Sequence, residues 1–231
     1  MRILIIRHGE PDYAKDCLTE RGREQAELLA ERIAPMEIAA YYASPMGRAQ
    51  ETCAATVRKA GREFTTLGWL HEFDVQFEYG KAGRLQTWDM PPKYWAEENG
   101  YYDLDNWCFD PGMRNSDIEE RVKMIYDGLD GLLEGYGYVR RGSAYEVRKR
   151  FDGTIALYCH FGAGCVMISR LLNLSPVLSC NSFSCEPTAI AQLCTDDRFG
   201  GTVNFRLHSY GDIAHLSGDF SEIGKGTLVA R

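Results

Sequence analysis

The chain has 231 residues, 45% of them apolar, which is enough to bury one sizeable core. Its 26 Lys and Arg against 33 Asp and Glu leave a formal net charge of -7, a balance that repels nucleic acid and anionic membrane surfaces and makes neither an expected partner. Eight scattered cysteines with no Cys-x-x-Cys pair argue against a secreted disulfide framework and a zinc cluster, and predict a reduced, cytoplasmic protein.

Residues 2–6 (RILII) form an apolar run read as a buried strand. The run is too short for a signal-peptide core, and no later stretch approaches a membrane span. Thr19 can cap a helix over about 20–34, because Ala26, Leu29, Ala30 and Ile33 share one face. A strand is expected at 38–43. Ser44-Pro45 then reads as a helix start, with Ser as cap and Pro in the first helical position, and Met46, Ala49, Cys53 and Val57 form the buried stripe.

A short strand at 64–67 closes this opening rhythm. Residues 73–150 then run irregularly, with a helix near 116–134, a hairpin around Gly142-Ser143, and all four tryptophans (69, 88, 95 and 107) at or inside the first half. This stretch is expected to be a cap-like insertion whose tryptophans form a satellite core or line a substrate pocket. The rhythm resumes with a buried strand at 154–159 and a helix from about 163 to 172. Two apolar segments, 188–194 and 202–208, joined by Asp-Asp-Arg-Phe-Gly-Gly, read as a hairpin at a sheet edge. The expected fold is one α/β domain over 1–231. It is a three-layer sandwich, with helices on both faces of a mostly parallel mixed sheet.

In such a sheet, ligands gather beyond the carboxyl ends of the strands, where helix N-termini offer free N–H groups to anions. Three segments deliver reactive side chains there: Arg7-His8-Gly9-Glu10, Ser44-Pro45-Met46-Gly47-Arg48 and His160-Phe161-Gly162. Two guanidinium and two imidazole groups suit phosphoryl transfer, where positioning and charge stabilisation do most of the work. Arg7 and Arg48 can bind phosphoryl oxygens bidentately, a neutral His8 can attack phosphorus, and a protonated His160 would steady the anion from the other side. Arg48 in a first helical turn opposes the helix dipole, a mild cost that an adjacent anion would remove.

Together these blocks resemble the histidine phosphatase superfamily, which includes the cofactor-dependent phosphoglycerate mutases. The resemblance rests on Arg7-His8-Gly9-Glu10, on Leu18-Thr19-Glu20-Arg21-Gly22 with Gln25-Ala26, on Ser44 through Thr52, and on His160-Phe161-Gly162. It covers about 1–72 and 154–215, outside the insertion. By this resemblance Glu72, in Leu70-His71-Glu72-Phe73, is the general acid that protonates the departing oxygen and then deprotonates water. Glu10 is the substitute. The catalytic set is therefore His8, Glu72, Arg7, Arg48 and His160, with phosphate held by Arg7, Arg48 and His160, and with no metal or other cofactor expected.

The implied activity is phosphatase on a small-molecule phosphomonoester. Mutase-type transfer is the alternative, disfavoured because Pro11-Asp12-Tyr13 stands where mutases typically have a Ser-x-Trp-Asn-like stretch. A binding protein without turnover, and a cysteine nucleophile at Cys159, rank below both; Cys165 stands where the cysteine motif requires arginine. The run Arg140-Arg141 with Arg148, Lys149 and Arg150 would hold a second anionic group or, more simply, make a solvated hairpin face.

Overall fold

A computed structural model describes residues 1–79, 83–96, 99–198 and 200–216. Phe199 in the expected hairpin turn, and 80–82 and 97–98 in the expected insertion, lie outside the described residues. The elements in order are β1 (Arg2–Arg7), β2 (Pro11–Asp12), β3 (Cys17–Leu18), α1 (Glu20–Ile33), β4 (Ile38–Ala43), α2 (Gly47–Ala60) and β5 (Phe64–Thr66). There follow β6 (Gln76–Glu78), β7 (Arg84–Gln86), α3 (Pro92–Trp95), α4 (Pro111–Arg114), α5 (Ile118–Gly135), β8 (Tyr138–Arg141) and β9 (Ala144–Val147). The chain closes with β10 (Thr154–Cys159), α6 (Phe161–Leu172), α7 (Pro176–Ser182), β11 (Ile190–Asp196) and β12 (Thr202–Asp212).

Eight strands form one mixed sheet in the order β5-β4-β10-β1-β11-β12-β9-β8. The first four run parallel and the rest pair antiparallel. Strand periodicity sorts the core: Ile3 and Ile5 of β1, with Ile155 and Leu157 of β10, join the cluster shared by α5, α6 and α7. Leu4 and Ile6, with Ala156 and Tyr158, point to the opposite cluster, where Leu29 and Ile33 of α1 and Cys53 and Val57 of α2 pack. The result is the expected three-layer α/β sandwich with helices on both faces. Among the described residues no helix is long and apolar enough to cross a membrane.

Three sequence expectations are corrected. The β11–β12 hairpin sits inside the sheet, because β9 and β8 continue beyond β12 and take the edge. The stretch 73–150 divides: β6, β7, α3 and α4 are small elements, but α5 packs on α6 and the β8–β9 hairpin extends the main sheet. Among the described residues the four tryptophans form no satellite core either, since Trp107 is buried in, and Trp69, Trp88 and Trp95 pack against, the same cluster that covers one sheet face. Finally, α2 begins at Gly47 with Met46 as its cap residue, not at Ser44-Pro45. The Ser44 hydroxyl bonds His160 and so serves the site.

Candidate active site

Register explains why residues distant in sequence meet. β1 and β10 run parallel with Arg7 opposite Cys159, so His8 and His160 leave adjacent strands at one level. The His8 N–H donates to the Cys159 carbonyl at 3.0 Å, and the two imidazole centroids lie 5.1 Å apart. On the other flank of β10, Ala43 pairs with Tyr158, which brings Ser44 and then the first turn of α2 to the same edge. Arg48 reaches back from that turn, and its Nε donates to Nε2 of His8 at 3.2 Å. His8, Arg48 and His160 are all nearly inaccessible.

The sharp turn after β1 depends on two glycines. A Cβ on Gly9 would lie 2.6 Å from the Gly22 carbonyl oxygen, and one on Gly22 would lie 2.2 Å from that of Glu10, so loop and helix start touch backbone to backbone. Thr52 accepts from the Gly9 N–H at 3.0 Å and donates to the Arg48 carbonyl at 2.8 Å, tying the loop after β1 to α2. Gln25 accepts from the Glu10 N–H at 2.8 Å. Both residues stand in the recognised blocks, but their partners could not be read without the fold.

Arg7 donates to the Cys185 carbonyl, and its guanidinium lies 5.9 Å from the Phe161 ring centre. Arg7 Nε and His160 Nδ1 are buried with no partner among the described residues. A buried unsatisfied nitrogen is costly. The Arg7 Nε–H is a charged donor that an anion would satisfy. His160 Nε2 lies 2.7 Å from Ser44 Oγ, which also accepts from the Met46 N–H at 3.2 Å. A hydroxyl has two lone pairs and one proton, so Ser44 can serve His160 Nε2 as donor or as acceptor while it accepts from Met46.

Asp16 is a site residue that sequence reasoning missed. Its Oδ1 accepts from Arg48 at 2.6 Å and its Oδ2 from the Gly47 N–H at 2.7 Å. This is the anion needed beside an arginine in a first helical turn. Burial works to raise the Asp16 pKa, but Gly47 and Arg48 hold the carboxyl below its usual range. Its backbone is left-handed at φ 49°, in a loop whose closeness to α2 no local pattern announces.

Glu72 arrives from the neighbouring side, after β5 and a single helical turn at Gly68–Leu70. Its Oε1 accepts from the Phe73 N–H at 2.8 Å and from the Ala163 N–H of α6 at 3.1 Å. Burial raises its pKa, partly opposed by those N–H groups and by Arg7 and Arg48. A carboxyl that retains its proton above the usual range suits acid chemistry. Glu10 instead accepts from the Thr19 hydroxyl at 2.8 Å and lies 3.8 Å from Arg21.

Burial, with Arg7 next, lowers the His8 pKa to about 3, so the ring is neutral at physiological pH. His160 is also pushed well below its usual value, by burial, then His8 and Arg48. That direction runs against the expected imidazolium at 160, and the permanent positive charge comes from the two arginines. Cys159 is fully buried, donates to the His160 carbonyl at 3.6 Å, and burial raises its thiol pKa strongly. Among the described residues no cluster of His, Cys, Asp and Glu could hold a metal ion. The basic run lies at the far sheet edge, where Arg141 pairs with Glu146 at 3.0 Å and Arg150 with Asp152 at 2.7 Å on the solvated face, while the partly buried Arg140 donates to the Arg170 carbonyl at 3.1 Å and to Asn173 at 2.6 Å.

The pattern that defines branch 1 of the histidine phosphatase superfamily matches residues 3–206. Phosphoserine phosphatase 1 of Hydrogenobacter thermophilus is 23% identical over 86% of this chain and 88% of its own. A probable phosphatase of Schizosaccharomyces pombe is 40% identical, but over 23% of this chain and 30% of that protein. Among solved structures, a phosphoserine phosphatase mutant from Entamoeba histolytica in complex with phosphoserine matches with a TM-score of 0.60 at 19% identity. It covers 94% of this chain and 99% of that one. A mycobacterial glucosyl-3-phosphoglycerate phosphatase gives 0.61 at 18%, covering 91% and 98%.

Proposed function

This chain belongs to the histidine phosphatase superfamily, and we propose on that footing that it is a phosphatase which hydrolyses a small-molecule phosphomonoester through a phosphohistidine at His8. The observation that carries the reading is the meeting of His8, His160, Arg7 and Arg48 around one edge of the sheet, with the buried Arg7 Nε unpartnered among the described residues.

Gly9 supplies the tautomer. Nδ1 of His8 lies 2.6 Å from its carbonyl oxygen, which can only accept, so the proton sits on Nδ1 and Nε2 keeps a lone pair. Once the phosphoryl oxygens draw the Arg48 Nε–H away from it, Nε2 attacks phosphorus as the ester P–O bond breaks, and Glu72 gives its proton to the departing alkoxide. Glu72, now a carboxylate, takes a proton from water as that water attacks phosphorus, the P–N bond breaks, and neutral His8 is restored. Arg7, Arg48 and His160 hold the equatorial oxygens throughout. No step calls for a metal ion.

Phosphoserine phosphatase structures from Entamoeba histolytica hold phosphoserine and 3-phosphoglyceric acid, which favours a small phosphorylated metabolite as substrate here. Eight free thiols suit a reducing cytoplasmic compartment. The deciding experiment is a panel of phosphomonoesters assayed with and without 2,3-bisphosphoglycerate. Phosphate release independent of priming is expected; isomerisation that requires priming would replace hydrolysis by mutase transfer, and phosphate binding without turnover would leave only a binding protein.

A further inference from the structure

We propose that Arg121 is a positioning residue for Glu72, fixing from helix α5 the backbone that aims the acid at the departing oxygen. The inference rests on the reading of Glu72 as that acid. Glu72 lies in irregular backbone between a single helical turn and β6, so no sheet ladder defines its place. Two neighbouring structures define it instead.

The side-chain end is set by α6, through the Ala163 N–H on Oε1. The backbone end is set by α5. Arg121 donates to the Glu72 carbonyl oxygen at 2.7 Å and lies 3.7 Å from Asp74 Oδ1, so one guanidinium spans the residues on either side of Phe73. His71 Nδ1 also lies 3.2 Å from that carbonyl, but a neighbour within the same loop cannot anchor it to the rest of the fold. Seven residues along α5, two turns on and therefore on the same face, Gly128 makes room for Trp69: a Cβ there would meet the indole at 2.3 Å. The helix thus grips the acid-bearing segment at two points.

Arg121 is partly buried, its side chain 25% exposed. Its stem packs while its head is committed to a carbonyl and a carboxylate. Losing it would free the Glu72 carbonyl from α5, and a small misplacement of a proton donor is costly when the leaving group is a poor one.

The test compares kcat/KM for 4-nitrophenyl phosphate, whose phenolate leaves without protonation, and for propyl phosphate, whose alkoxide needs the proton. Arg121→Met is expected to lower the propyl ester at least about tenfold more than the nitrophenyl ester, repeating the selectivity of Glu72→Gln, with Arg121→Lys recovering part of the loss. A merely structural role would lower both esters alike. Equal losses in Arg121→Met alongside a selective Glu72→Gln overturn this proposal alone, whereas equal losses in Glu72→Gln overturn the acid assignment and this proposal with it. Should Arg121→Met not fold, Arg121→Lys, compared with the wild type at equal thermal stability, carries the same comparison, and an unselective loss there is equally fatal.

Discussion

Arg48 donates through Nε to Nε2 of His8 at 3.2 Å, while the opposite nitrogen of that ring faces the Gly9 carbonyl at 2.6 Å. The nitrogen proposed to attack phosphorus is thus defined from both sides. The other tautomer would set a lone pair against the Gly9 carbonyl oxygen and an N–H against the Arg48 Nε–H. His8→Gln is expected to abolish turnover, and Arg48→Lys, which keeps the charge but loses the planar fork, to lower kcat about a hundredfold or more. Steady-state kinetics on purified, folded variants check both.

The buried rings have a consequence for acid stability. His8 titrates at about 3 in the folded chain and His160 well below its ordinary value, with burial the main cause for each. The unfolded chain binds these protons near pH 6.5, so below that point it gains protons the native state refuses, and stability falls as pH drops. Each ring contributes about 1.4 kcal/mol per pH unit in that window. Glu72, with its raised pKa, acts with the opposite sign, costing stability as pH rises through its folded value. Thermal midpoints measured from neutral pH down toward about pH 5 are expected to fall, and His8→Gln to flatten the slope. An unchanged slope in that variant would refute the neutral, buried His8.

Gly22 is the backbone pivot of the site. A methyl group there would lie 2.2 Å from the Glu10 carbonyl oxygen, with no flexible side chain to move aside. Gly22→Ala is expected to cost about 1–3 kcal/mol of stability and to displace the loop after His8. Chemical denaturation would show the first, and loss of activity at temperatures where the variant remains folded the second.

Cys159, next to His160 in sequence, is buried on the sheet face away from α1 and α2, among residues that include Leu157 and Ala163. Its thiol is held protonated by burial. Cys159→Ser is expected to retain hydrolysis, and prolonged dialysis against a chelator to leave the rate unchanged. Assays of both preparations against one substrate suffice.

Much of this was legible in the sequence because it was local. The runs 2–6 and 154–159 are so apolar that a strand buried on both faces is their natural reading, and Thr19 caps α1 as its position suggests, accepting from the Gly22 N–H. The pattern misled where a side chain had a tertiary use. Ser44 looks like a helix cap, yet its hydroxyl bonds His160, 116 residues away. Asp16 and Arg121 were invisible for the same reason. A carboxylate in a loop and an arginine on a helix have no local signature for the guanidinium or carbonyl they will meet. The β8–β9 hairpin was read correctly as a hairpin, but its docking on β12, through Thr202 opposite Glu146, is long-range pairing that no turn signal encodes.

The central claim is that phosphate passes through Nε2 of His8. Rapid quench of the enzyme with a good substrate under alkaline conditions, followed by peptide mass spectrometry, tests it directly. One acid-labile, base-stable phosphoryl group on the peptide carrying His8, absent from His8→Gln, is the expected result. Turnover with no phosphoryl group on that peptide, or with one on another residue, would contradict it.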